Sequence, residues 1–137
     1  MKQVSSACTE DKQRGVTFGN KVVLITGASC GIGAQIALQY AHAGASLSLV
    51  ARMQAALDTS KDAILCKHPS AQVLTFPTDV RNVKRAEEVV AATVAHYGYL
   101  DILIANAGAL CAMDKCMFGT STLIIIADLY RRCKHLP

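Results

Sequence analysis

The sequence predicts an α/β fold in which helices flank a parallel sheet. Short apolar runs rich in β-branched residues alternate with longer segments whose apolar residues recur at helical spacing. The first apolar run leads through a glycine-rich turn directly into the first helical segment. Because strands and helices alternate in this way, we expect the strands to be parallel and joined by right-handed crossovers.

The first strand and the turn behind it carry the strongest functional signal. Val22 to Ile25 is a short apolar run of the kind that forms a buried parallel strand. Gly27, Gly31 and Gly33 follow, and glycines at this spacing allow a tight turn, backbone approach to a phosphate and close helix packing. The N-terminus of the next helix offers free N–H groups and a positive dipole end. We therefore predict a pyrophosphate site, the alternative being a purely structural turn.

The remaining elements follow in order. Gly44 stands where a C-terminal cap of the first helix is expected, and Gly98 is expected to end the third helix. The second helix is expected to end before Pro69, because a residue that precedes proline disfavours helical backbone. The expected strand order is 3-2-1-4, with a cofactor crevice across the carboxyl ends of the first and fourth strands. Strands are predicted at 21–26, 45–51, 72–76 and 100–105, and helices at 31–43, 53–67 and 83–96.

Three short motifs stand along the chain. Thr26 to Gly33 reads T-G-A-S-C-G-I-G, Asp79-Val80 follows the third strand, and Asn106-Ala107-Gly108 follows the fourth. In the order and spacing of these motifs the chain resembles the short-chain dehydrogenase/reductase family. The resemblance covers residues 19–109 and implies a Rossmann-like sheet, a nicotinamide dinucleotide and carbonyl or alcohol oxidoreduction. The cofactor-binding residues are expected to be Gly27, Ser29, Cys30, Gly31, Ile32, Gly33, Arg52, Asp79, Val80, Asn106, Ala107 and Gly108.

The end of the second strand predicts which dinucleotide is bound. An acidic residue there would hold the ribose 2′-OH of NAD, but positions 47–53 contain no Asp or Glu. They contain Arg52, whose guanidinium suits a 2′-phosphate by charge and by its fork of donors. We therefore expect NADP rather than NAD, and Arg52 matches the basic position of NADP-preferring members of the family. The alternative is that Arg52 is only a solvated residue at a helix start.

Asp79 has two interpretations, and both could hold. It stands at a strand-to-helix turn, where an aspartate can cap the next helix. The resemblance implies that Asp79 accepts a hydrogen bond from the adenine amino group, that Val80 lies near the ring, and that residues 106–108 line the ribose and nicotinamide side. Cys30 stands where the family commonly has a small polar residue, and a thiol donates hydrogen bonds weakly.

Residues 110–137 do not continue the family pattern, which next requires a long helix, a strand with a catalytic serine and a helix with Y-x-x-x-K. Tyr130 and Lys134 have the Y-x-x-x-K spacing, but Tyr130 lies only 22 positions after Gly108 and no serine precedes it at the family's interval. Since a crossover alone takes a dozen residues or more, we reject them as a catalytic pair. No credible catalytic set remains, and the chain is interpreted as a truncated family member. Leu123 to Ile126 predicts a strand or a short helix that could cover the fourth strand.

The composition excludes several function classes. At 137 residues, with 52% hydrophobic and 18% charged residues, the chain suits one globular domain. A net charge of +4 without a basic stripe, and 5% aromatic residues, argue against nucleic-acid binding. The six cysteines form no C-x-x-C pair and no zinc spacing, so we expect no metal and a reducing compartment. No apolar run is long enough for a membrane span and residues 1–18 lack a signal-peptide core, so the expected location is cytoplasmic.

These observations divide the chain into a flexible lead (1–19), a dinucleotide-binding domain (20–109) and a divergent tail (110–137). The expected function is an NADP(H)-binding family member that has lost its catalytic half. One alternative is a working oxidoreductase that takes catalytic groups from its tail or from another chain. The other is a non-catalytic interaction fragment, which would pair with itself as a homo-oligomer or with a full-length relative.

Overall fold

A computed structural model describes residues 17–107, which form four strands and three helices in strict alternation. All seven predicted elements are confirmed, and none of their ends differs from the prediction by more than two residues. The strands are β1 (Val22–Thr26), β2 (Ser46–Ala51), β3 (Val73–Pro77) and β4 (Ile102–Ile104), and the helices are α1 (Gly31–His42), α2 (Gln54–Lys67) and α3 (Val83–Tyr97).

The four strands form one parallel sheet in the order β3-β2-β1-β4, as predicted. β1 is a central strand, because Ile25 pairs in register with Leu49 of β2 and with Ile104 of β4. Every residue of β1 is buried. The carboxyl ends of β1 and β4 therefore lie side by side, and the segments that follow them meet at one edge of the sheet.

Successive residues of the strands point to opposite faces of the sheet and belong to two apolar clusters, one on each face. Val23 and Ile25 belong to the cluster that contains residues of α1 and α2, whereas Val22 and Leu24 belong to the cluster that contains residues of α3. Helices therefore cover both faces of the sheet. The first cluster also includes Ala37, Ala41, Leu47, Leu49, Leu57 and Ile64, and the second Val50, Val89, Val90 and Leu100.

β4 is shorter than predicted because a side chain replaces strand pairing at its start. The N–H of Asp101 donates to the Val22 carbonyl at 3.1 Å, and the N–H of Val22 donates to Oδ2 of Asp101 at 2.9 Å. Nζ of Lys21 lies 3.5 Å from Oδ1 of the same carboxylate. The carboxylate thus takes the place of a backbone acceptor, and regular pairing begins at Ile102.

The cap of α3 differs from the sequence prediction. Oδ1 of Asn82 accepts a hydrogen bond from the N–H of Arg85 at 3.2 Å, which makes Asn82 the N-cap. The interpretation of Asp79 as the cap is wrong, because Asp79 lies three residues too early and its carboxylate accepts from Arg81 instead. Gly98, at φ +89°, ends α3 in the left-handed region as expected.

Candidate functional site

The turn between β1 and α1 contains two glycines in the left-handed region. Gly27 has a φ of +69° and Gly31 a φ of +58°, which other residues adopt only with strain. The N–H of Gly27 donates to the Val50 carbonyl at 2.8 Å and so fixes the start of the turn to β2. A Cβ added to Gly31 would meet no described residue within 4 Å. Gly31 therefore faces open space at the N-terminus of α1.

Gly27 and Gly33 serve a different purpose, which is the packing of the turn against the segment after β4. A Cβ on Gly27 would lie 2.9 Å from Cα of Ala107. A Cβ on Gly33 would lie 2.5 Å from Nδ2 of Asn106 and would overlap the Gly27 carbonyl oxygen. That oxygen accepts a hydrogen bond from Asn106 Nδ2 at 3.3 Å. The motif thus combines one open glycine with two tightly packed ones.

The side chain of Thr26 joins the carboxyl ends of β1 and β4. Its Oγ1 accepts hydrogen bonds from the N–H groups of Asn106 at 3.1 Å and Ala107 at 3.0 Å, and donates to the Ile104 carbonyl at 3.4 Å. Thr26 is almost fully buried. Sequence reasoning assigned it no role, although a hydroxyl at the end of a buried strand was the available signal.

The peptide group between Ser29 and Cys30, just before α1, is held by a hydrogen bond from α2 and not by the side chain of Cys30. Cys30 is the extended N-cap residue of α1, but its exposed thiol makes no capping hydrogen bond. The carbonyl of Ser29 accepts a hydrogen bond from the hydroxyl of Ser60, on α2, at 3.1 Å. Ser60 was not among the predicted site residues. Ile32, the next predicted contact, is 73% exposed beside the turn.

Arg52 follows the carboxyl end of β2, beside the loop that leaves β3. The N–H of Thr78 donates to the Ala51 carbonyl at 2.7 Å, which holds this loop against the end of β2. Arg52 is exposed, and its charge makes a minor contribution to lowering the pKa of Asp79. Arg52 and Asp79 therefore face the same solvent region at neighbouring strand ends.

Asp79 forms a close ion pair with Arg81. Nη2 of Arg81 donates to Oδ2 at 2.6 Å, Nε lies 3.0 Å from both carboxylate oxygens, and the Arg81 N–H donates to Oδ1 at 3.0 Å. These hydrogen bonds, the side-chain ones first, lower the pKa of Asp79 to about 2. An ionised carboxylate offers roughly four acceptor positions, and the four contacts from Arg81 use them.

The structure brings most of the predicted site residues to one edge of the sheet. The turn of residues 27–33 contacts residues 106–107, and Arg52 and Asp79 lie at the neighbouring strand ends. Val80 differs, because its partly buried side chain packs against the apolar cluster on the α3 side. Gly108, Tyr130, Lys134 and the segment from Leu123 to Ile126, all named from the sequence, lie outside the described range.

Residues 17–107 contain no group of three or more His, Cys, Asp or Glu side chains that could hold a metal ion. The cysteines in this range, Cys30 and Cys66, are exposed free thiols. Over the same residues, no helix combines the length and the apolar character that a membrane span requires.

A parallel sheet whose central strand leads through a glycine turn into a helix N-terminus defines a dinucleotide-binding domain of the Rossmann type. Comparison with known families agrees: the family model described as short chain dehydrogenase matches residues 21–123. Because that match spans more than half of the sequence, the chain belongs to the short-chain dehydrogenase family.

Curated relatives match the same part of the chain. The sequence is 45% identical over 92 residues to 11-beta-hydroxysteroid dehydrogenase-like 2 of Arabidopsis thaliana, which covers 64% of this chain and 28% of that protein. It is 42% identical over 91 residues to levodione reductase of Leifsonia aquatica, covering 66% of this chain and 34% of that protein. The chain therefore spans about a third of the length of these relatives.

Solved structures share the fold. The crystal structure of levodione reductase superposes with a TM-score of 0.77 at 30% identity, over 85% of this chain and 50% of that one. L-sorbose reductase from Gluconobacter frateurii, solved with NADPH and L-sorbose, gives a TM-score of 0.73 at 29% identity, over 87% of this chain and 48% of that one. The matched region thus amounts to half of each solved chain or slightly less.

Proposed function

We propose that this chain binds NADP(H) at the carboxyl edge of its sheet and takes part in no turnover by itself. The observation that carries the proposal is the arrangement of the glycine turn. Gly27 and Gly33 pack against Asn106 and Ala107, while Gly31 leaves open space at the N-terminus of α1. Such a turn admits a phosphate to the backbone without obstruction by a Cβ.

The electrostatics of α1 suit an anion. The first turn of α1 contains no acidic residue, so nothing in that turn opposes the positive end of the helix dipole. The N-terminal N–H groups of a helix lack intrahelical partners and are available to phosphate oxygens. The turn of residues 27–33 would hold the pyrophosphate, and residues 106–107 would line the ribose and nicotinamide side.

Arg52 supports a preference for NADP(H) over NAD(H). Its exposed guanidinium stands at the end of β2, where an acidic residue would be needed to hold a ribose 2′-OH. The nearby carboxylate of Asp79 is paired with Arg81. Arg52, Arg81 and Asp79 together therefore carry a net charge of one positive unit. A related enzyme, L-sorbose reductase, was solved with NADPH.

The bound nicotinamide supplies or accepts a hydride in reactions between carbonyls and alcohols. The described residues provide the binding half of that chemistry. We place no acid/base in this chain, because Tyr130 follows Gly108 by only 22 positions and lacks an upstream serine at the family's interval. A reducing, cytoplasmic location is proposed alongside, in keeping with the free thiols of Cys30 and Cys66.

A titration of the full 137-residue chain with NADPH and NADH tests this proposal. Nucleotide fluorescence and thermal unfolding are followed together, because a ligand that binds only the folded state stabilises it by roughly 2.7 kcal/mol at a hundredfold excess over Kd. We expect NADPH to stabilise the chain more than NADH does, and a panel of carbonyl compounds to cause no NADPH oxidation. Equal effects of both nucleotides contradict the NADP(H) preference, and steady oxidation contradicts the absence of turnover.

The edge of the sheet favours a second candidate, a non-catalytic interaction fragment. Within residues 17–107, β4 pairs only with β1, and its three residues are partly exposed. An unpaired strand edge is a template for pairing with another chain. Gel filtration distinguishes the candidates: a dimer that persists on dilution, together with no nucleotide binding, would favour this second function.

A further inference from the structure

Ser60 reaches the glycine turn from outside the three sequence motifs. It lies on α2, and its hydroxyl donates a hydrogen bond at 3.1 Å to the carbonyl of Ser29, 31 positions earlier. Only 8% of Ser60 is exposed, so water competes little for its hydroxyl. The bond ties the middle of α2 to the peptide that immediately precedes the N-cap of α1.

This bond sets the direction of one peptide group. In a planar trans peptide, the carbonyl of Ser29 and the N–H of Cys30 point in opposite directions. Because the Ser29 carbonyl points at α2, the N–H of Cys30 points away from α2. The Cys30 thiol makes no capping bond, so its side chain does not contribute to this orientation.

We propose that Ser60 is a positioning residue of the cofactor site, which directs the Cys30 N–H toward a phosphate of the bound dinucleotide. The inference rests on the proposed NADP(H) binding. Without the Ser60 hydroxyl, the Ser29 carbonyl loses its protein partner and the peptide gains freedom to rotate. Binding must then order that peptide as well, which lowers affinity.

Three substitutions in α2 test the proposal. Ser60→Ala removes the hydroxyl, Ser60→Thr keeps it, and Thr59→Ala is the matched control, because the Thr59 hydroxyl donates only to the Ala55 carbonyl of its own helix. We expect Ser60→Ala to raise the Kd for NADPH roughly fivefold, the equivalent of one typical net hydrogen bond. Thr59→Ala should leave Kd unchanged, and Ser60→Thr should restore most of the affinity. Unchanged binding by Ser60→Ala, or failure of Ser60→Thr to restore it, overturns the proposal.

Two further measurements separate positioning from support of the fold. A purely structural Ser60 would lower the midpoint of unfolding of the chain without nucleotide and leave the Kd of the folded chain unchanged. In the ¹⁵N-labelled chain without nucleotide, Ser60→Ala should shift the Cys30 amide resonance, whereas Thr59→Ala should not. An unmoved resonance overturns the proposal. If the unsubstituted chain binds no NADPH, the proposed function fails. The Cys30 amide resonance then still shows, independently of binding, whether Ser60 orients the peptide group between Ser29 and Cys30.

Discussion

The hydroxyl oxygen of Thr26 accepts a hydrogen bond from the backbone N–H of Ala107 at 3.0 Å, across 81 positions of sequence. One buried side chain thus joins the strand that begins the nucleotide-binding turn to the segment that ends the described fold. Gly27 and Gly33 pack against the same segment. The distance between the turn after β1 and the segment after β4 is therefore fixed by contacts within the protein.

Replacement of Thr26 should therefore destabilise the chain. Thr26→Val keeps the shape but leaves the Ala107 N–H without its acceptor, whereas the Asn106 N–H retains the Ile104 carbonyl at 3.1 Å. We expect a loss of about 1–3 kcal/mol in the free energy of unfolding, measured by urea denaturation. Thr26→Ser keeps the hydroxyl and should lose less than half as much. A Thr26→Val chain as stable as the unsubstituted one would show that the hydrogen bonds of the hydroxyl do not contribute to stability.

The two kinds of glycine in the turn should respond differently to alanine. Gly33→Ala places a methyl group against the Gly27 carbonyl and Asn106, and should cost about 3 kcal/mol or more, or prevent folding. Gly31→Ala meets no described atom and should cost only the left-handed strain of about 1–2 kcal/mol, while its methyl group obstructs the phosphate site. Denaturation gives the stability, and NADPH titration of the folded Gly31→Ala chain gives the affinity. Unimpaired NADPH binding by Gly31→Ala would contradict the placement of the phosphate.

Arg52 should determine the preference between the two nucleotides. Arg52→Ala removes a charged donor pair for the 2′-phosphate, so the Kd for NADPH should rise about tenfold or more, while the Kd for NADH should change little. Arg85→Ala is a suitable control, since Arg85 is another exposed arginine and pairs with Glu88 on α3 at 3.2 Å. Isothermal titration with both nucleotides measures the change. A parallel loss of NADH affinity would indicate that Arg52 has no specific role at the 2′-phosphate.

The Asp79–Arg81 pair predicts a small dependence of stability on acid pH. The Asp79 pKa is lowered from 3.8 to about 2 in the folded chain, chiefly by hydrogen bonds from Arg81. The ionised pair therefore contributes stability above about pH 4, and this contribution is lost as the pH falls toward about 2. Because both side chains are exposed to solvent, we expect this contribution to be small. Urea denaturation at about pH 5 and about pH 2.5 should show a larger loss for the unsubstituted chain than for Asp79→Asn.

The elements that depend on local pattern were predictable from the sequence. β1 was recognisable because a β-branched apolar run precedes spaced glycines, and the order of the sheet followed from the regular alternation of strands and helices. The family resemblance also implied that residues 106–108 line the ribose and nicotinamide side of a crevice at the carboxyl ends of the first and fourth strands. The motifs did not reveal that Gly31 faces open space while Gly27 and Gly33 are tightly packed, because the residue type is the same at all three positions.

Contacts between distant segments could not be predicted in the same way. Ser60 lies on a helix face with other buried residues, and nothing local marks its hydroxyl as the partner of Ser29. Asp79 and Asn82 are both good helix caps by residue type, and the choice depends on where α3 begins and on the side chain of Arg81. Asp101 likewise shortens β4 through a side-chain bond to Val22 that strand propensity does not reveal.

The central position of β1 has a consequence for the synthesis of this chain. Val23 pairs with Leu47 on one side but with Ile102 on the other, so β1 obtains its second neighbour only when the last described strand has left the ribosome. At typical elongation rates the interval of about 55 residues lasts roughly 3–11 s. During those seconds the fully buried strand of the fold presents an unpaired edge to other chains in the cell. Shielding of this edge by chaperones matters most in that period.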